Sequence, residues 1–224
     1  MSVPRWIRKQ WIKDIVSDLS FCDAGRLWGI VNENISDALN AKSRTLLDKF
    51  PITNPLWQQM REHLSGVDYE EISCNICDVK RQWDVVSCNG VIYHYPKPEE
   101  ILLMLKNMFN DFLIITTTFT EPIVSNKNGS IAINDKLFLP DIDEFTREVL
   151  KEDWKIFLRN QKVSGLTYVV NDWDVGMYEH WYWLFTEKYL DNLFYVTDLS
   201  IVEKVVEGEG KIISYLLKHK KLFI

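Results

Sequence analysis

Short apolar runs alternate with helix-like amphipathic stretches from Val16 to Phe119, and this rhythm constrains the fold more than any other feature of the chain. The runs Val16–Cys22, Thr45–Leu47, Ile72–Ile76, Val85–Cys88 and Phe112–Phe119 read as strands. Between them, Ile30, Val31, Ile35, Ala38 and Leu39 recur at helical spacing after Trp28. Leu56, Trp57, Met60 and Leu64 do the same after Pro55. A third helix is expected from Pro98, because proline suits a first helical turn and Glu99 and Glu100 suit its positive end. Its apolar face is Ile101, Leu102, Leu105, Met108 and Phe109. The fifth run is almost wholly β-branched or apolar, as a strand covered on both faces must be. Strands separated by helices run parallel through right-handed crossovers. The expected fold is therefore α/β, a Rossmann-like, doubly wound, mostly parallel seven-stranded sheet with helices on both faces.

Beyond Thr120 the rhythm breaks. Residues 120–177 carry turn signals at Asn126–Gly129, a short helix near Asp141–Leu150, and a stretch rich in tryptophan. A helix bearing Trp181, Leu184, Phe185 and Tyr189 is expected next, leading to Phe194–Val196, and an apolar strand over Ile212–Leu217 nearly closes the chain. The organisation expected is one domain over residues 1–224. Residues 15–120 form its core, 120–177 an insertion after strand five, and 178–224 a closing segment.

Bulk properties narrow the partners. Among 224 residues, 46% are hydrophobic and the formal net charge is −6, enough apolar material for one substantial core. Nucleic acid is not expected as a partner, since phosphate neutralisation calls for a broad basic surface. The one basic cluster, Arg5, Arg8, Lys9 and Lys13, is interleaved with Trp6, Ile7, Trp11 and Ile12 and reads as the solvated face of an amphipathic helix. No run of 18 apolar residues exists, so no membrane span is expected. The N-terminal basic residues precede no apolar stretch, so a secretory leader is not expected. Four cysteines, Cys22, Cys74, Cys77 and Cys88, suit a reducing cytoplasm. Cys74-Asn-Ile-Cys77 has C-x-x-C spacing, but a structural zinc needs four ligands and no second pair exists. Buried thiols in a strand are the expectation there, and no metal site is expected.

In open α/β sheets ligands lie beyond the carboxyl ends of the strands, where strand order reverses. Attention therefore falls on Phe21-Cys22-Asp23-Ala24-Gly25-Arg26-Leu27-Trp28-Gly29, the turn after the first strand. Gly25 allows a tight turn and close approach of backbone to ligand. Gly29 lets the following segment pack near the strand, and Asp23 is placed to accept from a ligand ammonium. Asp48 ends the second strand 25 residues after Asp23, where a carboxylate can receive both hydroxyls of a ribose. Nicotinamide enzymes carry an acid at similar spacing. A pyrophosphate, however, needs bare, closely spaced glycines, whereas Arg26, Leu27 and Trp28 fill that space with bulk.

This turn resembles the D/E-x-G-x-G-x-G motif of class I S-adenosylmethionine-dependent methyltransferases. Asp23, Gly25 and Gly29 stand in register with it, and Leu27 replaces the middle glycine. The segment Gln82-Trp83-Asp84-Val85-Val86-Ser87-Cys88-Asn89-Gly90-Val91-Ile92-Tyr93-His94-Tyr95-Pro96 resembles the fourth motif of small-molecule members. The resemblance covers roughly residues 15–120, about half the chain. The resemblance implies S-adenosylmethionine as cofactor, held by Asp23, Gly25, Leu27, Trp28, Gly29 and Asp48. It also implies that Asp78 accepts from the adenine amino group with Val79 against the ring, and that Asn89 and Gly90 line the methionine end. His94 then lies near the reaction centre as a candidate general base. Its implied activity is methyl transfer to a small acceptor, with a sugar or other polar metabolite favoured. The resemblance does not extend through the segment after strand five. There Tyr168, Trp173, Tyr178, Trp181, Tyr182 and Trp183 suit stacking on a sugar, an aromatic ring or a capped peptide. Trp173, Trp181 and Trp183 either line a pocket or pack the insertion, packing being favoured. The competing expectation, raised by Leu27, is a methyltransferase-like subunit without activity.

Overall fold

The computed structural model of the protein describes residues 6–25, 27, 34–95, 97–139, 142–153, 183–207 and 211–220. Its strands are β1 (Ser20–Ala24), β2 (Ser43–Asp48), β3 (Glu70–Ser73), β4 (Trp83–Asn89), β5 (Phe109–Thr120), β6 (Ile123–Asn126), β7 (Gly129–Ala132), β8 (Lys136–Phe138), β9 (Trp183–Thr186), β10 (Leu199–Glu207) and β11 (Ile212–His219). The helices are α1 (Trp6–Ile15), α2 (Pro55–His63), α3 (Pro98–Lys106), α4 (Glu144–Asp153) and α5 (Glu187–Val196). The main sheet runs β3-β2-β1-β4-β5-β11-β10. From β3 to β5 every neighbour is parallel, while β11 is antiparallel to both β5 and β10. The seven-stranded, mostly parallel sheet expected from the rhythm is thus present. Two further strands, β8 and β9, attach where β5 outruns β4, through Phe119 beside Phe185 and Thr120 beside Thr186.

Alternation along each strand sorts side chains between two cores. Cys22, Leu47, Val86, Leu113, Ile115 and Tyr215 face α3 and α5. Phe21, Leu46, Val85, Ile114 and Leu216 face α1 and α2, packing on Trp11, Ile12, Trp57 and Met60. Both faces are covered, so the strands need no polar side. A smaller cluster of Val124, Ile133, Leu139, Val149 and Leu184 holds the β6–β7 hairpin and α4 together. Pro55 and Pro98 do open α2 and α3, and Asn54 caps α2 through Leu56 N.

Four departures from the sequence pattern have physical causes. Helix Trp28–Leu39 is not formed in its described part: a 3-10 turn spans Ile35–Asp37, Leu39 is exposed, and residues 28–33 lie outside the described residues. The Ala38 N–H is shared between Asn34 O and Ile35 O, and Ile35 and Ala38 pack in one core with Trp11 and Ile12 of α1. Leu184 and Phe185 lie in β9 rather than a helix, because Phe185 pairs beside β5 in the sheet. Strand three stops at Ser73, and Ile76 sits in a 3-10 turn capped by Asn75. Consequently Cys74 is partly exposed and Cys77 exposed, while Cys22 and Cys88 are buried, all four as free thiols. Finally, Arg8 is not on the solvated face of α1: it is 5% exposed. Strand β10 was hidden from the pattern by its edge position, which tolerates Glu203 and Lys204 among apolar residues. Tyr168, Trp173, Tyr178, Trp181 and Tyr182 lie outside the described residues.

Candidate functional site

The chain winds β1, β2, β3 outward in one direction and then returns to place β4 on the other side of β1. The switch point, where such folds open a crevice for ligands, therefore falls between the tips of β1 and β4. Asp23 and Ser87 are register partners across that seam, and Asn89 ends β4 on the same face. All three are buried. Asp23 accepts from the backbone N–H of Asn34 at 2.9 Å and from Asn34 Nδ2 at 3.0 Å. The same Nδ2 donates to Ser87 Oγ at 3.1 Å, and Asn89 Nδ2 donates to Ser87 Oγ at 2.6 Å. Four polar side chains thus form one row across the seam.

Glycine is required at Gly25. Its φ is +75° and its N–H donates to Leu47 O at 2.7 Å, folding the turn back over β2. A Cβ there would lie 2.6 Å from Val91 Cγ2, so the turns after β1 and β4 touch at the one residue without a side chain. Gly90, with φ +74°, turns the chain out of β4 while its N–H donates to Thr116 O at 2.8 Å. Leu27 does not enter the crevice: its side chain is buried in the α1–α2 core.

Asp48 closes β2 and is 4% exposed. Its Oδ2 accepts the N–H of Leu27 at 3.0 Å and its Oδ1 that of Phe50 at 3.2 Å. Burial raises its pKa above the usual aspartate value, opposed by those two N–H groups and that of Lys49. An ionised carboxylate offers about four lone-pair sites, so each oxygen can accept one further hydroxyl. Asp78 is exposed on the 3-10 turn after β3, and Val79 beside it packs on the α3 side of the sheet. Neither is hydrogen-bonded to the Asp23–Asn89 row in the contacts above. His94 lies on the 3-10 turn Ile92–His94 between β4 and α3, its ring tilted against Tyr93 with centroids 4.2 Å apart. Trp28 and Gly29 lie outside the described residues.

The row continues beyond the residues legible in the sequence. Arg8 Nη1 donates to Thr116 Oγ1 at 3.2 Å, and Thr116 Oγ1 lies 2.8 Å from Ser214 Oγ. Trp11 Nε1 donates to Glu203 at 2.9 Å. Helix α1 is therefore seated by polar contacts on β5 and β10 as well as by its apolar face. On the other side, Glu99 of α3 accepts from both Lys136 of β8 and Tyr189 of α5. Lys136 also lies 4.4 Å over the Trp183 ring, so this cluster ties β8 and β9 to α3 and α5. Asn34, Ser87, Arg8 and Val91 were not anticipated. The one available signal was the polar pair Ser87 and Asn89 in a strand otherwise apolar from Val85 onward.

No protein-family model and no curated protein matches the sequence. Solved structures do match, and the chain has the fold of class I S-adenosylmethionine-dependent methyltransferases. Magnesium protoporphyrin IX methyltransferase from Synechocystis PCC 6803, solved with bound S-adenosylmethionine, is 13% identical; the match covers 96% of this chain and 77% of that one, with a TM-score of 0.57. An S-adenosylmethionine-dependent methyltransferase from Clostridium acetobutylicum ATCC 824 is 12% identical over 96% and 89% of the two chains, with a TM-score of 0.55. Mitomycin 7-O-methyltransferase is 12% identical over 95% of this chain and 54% of its own, with a TM-score of 0.56. At such identities the likeness is one of fold. Among the described residues no helix is long and apolar enough to cross a membrane, and no three His, Cys, Asp or Glu side chains group as metal ligands.

Proposed function

We propose that the protein binds S-adenosylmethionine across the tips of β1, β2, β3 and β4 and transfers its methyl group to a small acceptor. The observation that carries this reading is the convergence of Asp23, Gly25, Asp48, Asn89 and Gly90 on one edge of a methyltransferase sheet, at the point where strand order reverses. Asp48 accepts from the ribose hydroxyls through its remaining lone pairs. Asp78 and Val79 serve the adenine, and Gly25 and Gly90 keep the backbone close to the ligand. Bound there, the cofactor supplies a methyl group already activated by its sulfonium. The protein's task is to align the acceptor, and His94 removes a hydroxyl proton onto a ring nitrogen where the acceptor needs a base. We assign the acceptor side to the segment that follows β5, and O-methylation of a sugar or another polar metabolite suits the aromatic composition of its sequence.

Titration calorimetry with S-adenosylmethionine and its demethylated product tests this. Micromolar affinity for both is expected. Absence of binding at millimolar ligand would leave a second reading, a methyltransferase-like subunit without activity. That reading draws on Leu27 in place of a glycine and on the backbone N–H groups already held by Asp48. Stabilisation by NAD instead would favour a nicotinamide enzyme.

A further inference from the structure

Asn34 is fully buried, and its amide lies across the seam between β1 and β4. Its nitrogen donates to Asp23 Oδ1 and to Ser87 Oγ. A carboxylate can only accept, so the amide nitrogen must face Asp23 and the orientation of the group is fixed. The oxygen, Oδ1, is buried and has no hydrogen-bond partner among the described residues. Burying a carbonyl without a donor forfeits its hydration, and folded proteins rarely leave one so placed without a role.

Two further observations say what kind of donor belongs there. Both oxygens of Asp23 are engaged by Asn34, one by its backbone N–H and one by its side chain. An amide whose N–H groups bond to an anion is polarised, and its oxygen becomes a stronger acceptor. The negative charge behind it favours a cation over a neutral donor. The group also stands at the switch point of the sheet, where ligands of such folds lie. We propose that Asn34 Oδ1 receives the ammonium of the cofactor's amino-acid end, so that Asp23 acts on the ligand through Asn34. This rests on the reading of the site as one for S-adenosylmethionine. It assigns the contact to an amide outside the glycine-rich turn.

The experiment compares the wild-type protein with Asn34→Ala by calorimetry, using three probes. S-adenosylhomocysteine carries ammonium and carboxylate, decarboxylated S-adenosylmethionine carries the ammonium alone, and 5′-deoxy-5′-methylthioadenosine carries neither. The variant is expected to bind the first two roughly 10- to 100-fold more weakly, the range for losing a bond to a charged group, and the third with unchanged affinity. Equal loss on all three probes, or no loss on the first two, would overturn the proposal. Failure of the wild-type protein to bind any probe would remove the cofactor reading itself, and this proposal with it. Should the variant not fold, the des-amino analogue of S-adenosylhomocysteine is titrated into the wild-type protein. At least tenfold weaker binding than the parent supports the assignment, and equal binding defeats it.

Discussion

Replacing Gly25 by alanine puts the geometry of the crevice to a quantitative test. The residue has φ +75°, a conformation that costs an L-residue about 1–2 kcal/mol. Its new Cβ would meet Val91 Cγ2 at 2.6 Å, an overpacking that typically adds about 1–3 kcal/mol. A loss near 3 kcal/mol follows, or a fall in Tm of about 6–12 °C for a chain of this size. The two contributions separate by a double-mutant cycle. Val91→Ala removes Cγ2, so in Gly25→Ala/Val91→Ala the clash disappears while the backbone strain stays. The coupling energy should be at least about 1 kcal/mol and favourable. Urea unfolding of the four proteins, followed by tryptophan fluorescence, supplies the free energies. A Tm unchanged by Gly25→Ala, or a coupling within about 0.3 kcal/mol of zero, would show that the turns after β1 and β4 do not meet as the structure has them.

The remaining outcomes concern the cofactor and the chemistry. Asp48→Ala should weaken S-adenosylhomocysteine binding by about 1–3 kcal/mol, since ribose hydroxyls lose a buried acceptor; unchanged affinity removes Asp48 from the site. Because burial raises its pKa, Asp48 takes up a proton at higher pH than an ordinary aspartate. Binding should therefore weaken on acidification through that window in the wild-type protein and stay flat in Asp48→Asn. For the unliganded fold the sign is opposite: the folded state holds this proton more tightly than the unfolded one, so Asp48's own contribution to stability rises as pH falls through its folded pKa. His94→Ala should leave cofactor binding intact and slow transfer to a hydroxyl acceptor by roughly 10²-fold or more, measured by product formation in single turnovers. Full activity would return His94 to a purely structural place in its 3-10 turn.

The sheet was legible because its strands are covered on both faces, which forces unbroken apolar runs such as Leu113–Ile115 between amphipathic helices. Where that condition lapses, the pattern misleads. The edge strand β10 carries Glu203 and Lys204 and gave no apolar run. Ile35, Ala38 and Leu39 have helical spacing, yet Ile35 and Ala38 are buried by α1 while Leu39 is left outside, a tertiary outcome that spacing cannot encode. Asp23, Gly25 and Asp48 were readable because strand tips and turn glycines are local features. Asn34 and Arg8 were not, because each acquires its meaning from a partner far along the chain: Arg8 meets Thr116, 108 residues away, and Asn34 meets Ser87, 53 residues away.

Helix α1 has a consequence for how the molecule breathes. Among the described residues the crossover from β1 to β2 contributes Leu27, Ile35, Ala38 and Ala41 to the core on this face, and they pack with Trp11, Ile12 and Val16, which precede the sheet, and with Trp57 and Met60 of α2. Undocking that one N-terminal element would bare Phe21, Ile35 and Leu46 together with Arg8's partners Thr116 and Ser214. Departure of the first helix would therefore also take the Arg8 contact from Thr116, the register partner of Asn89 at the ligand edge.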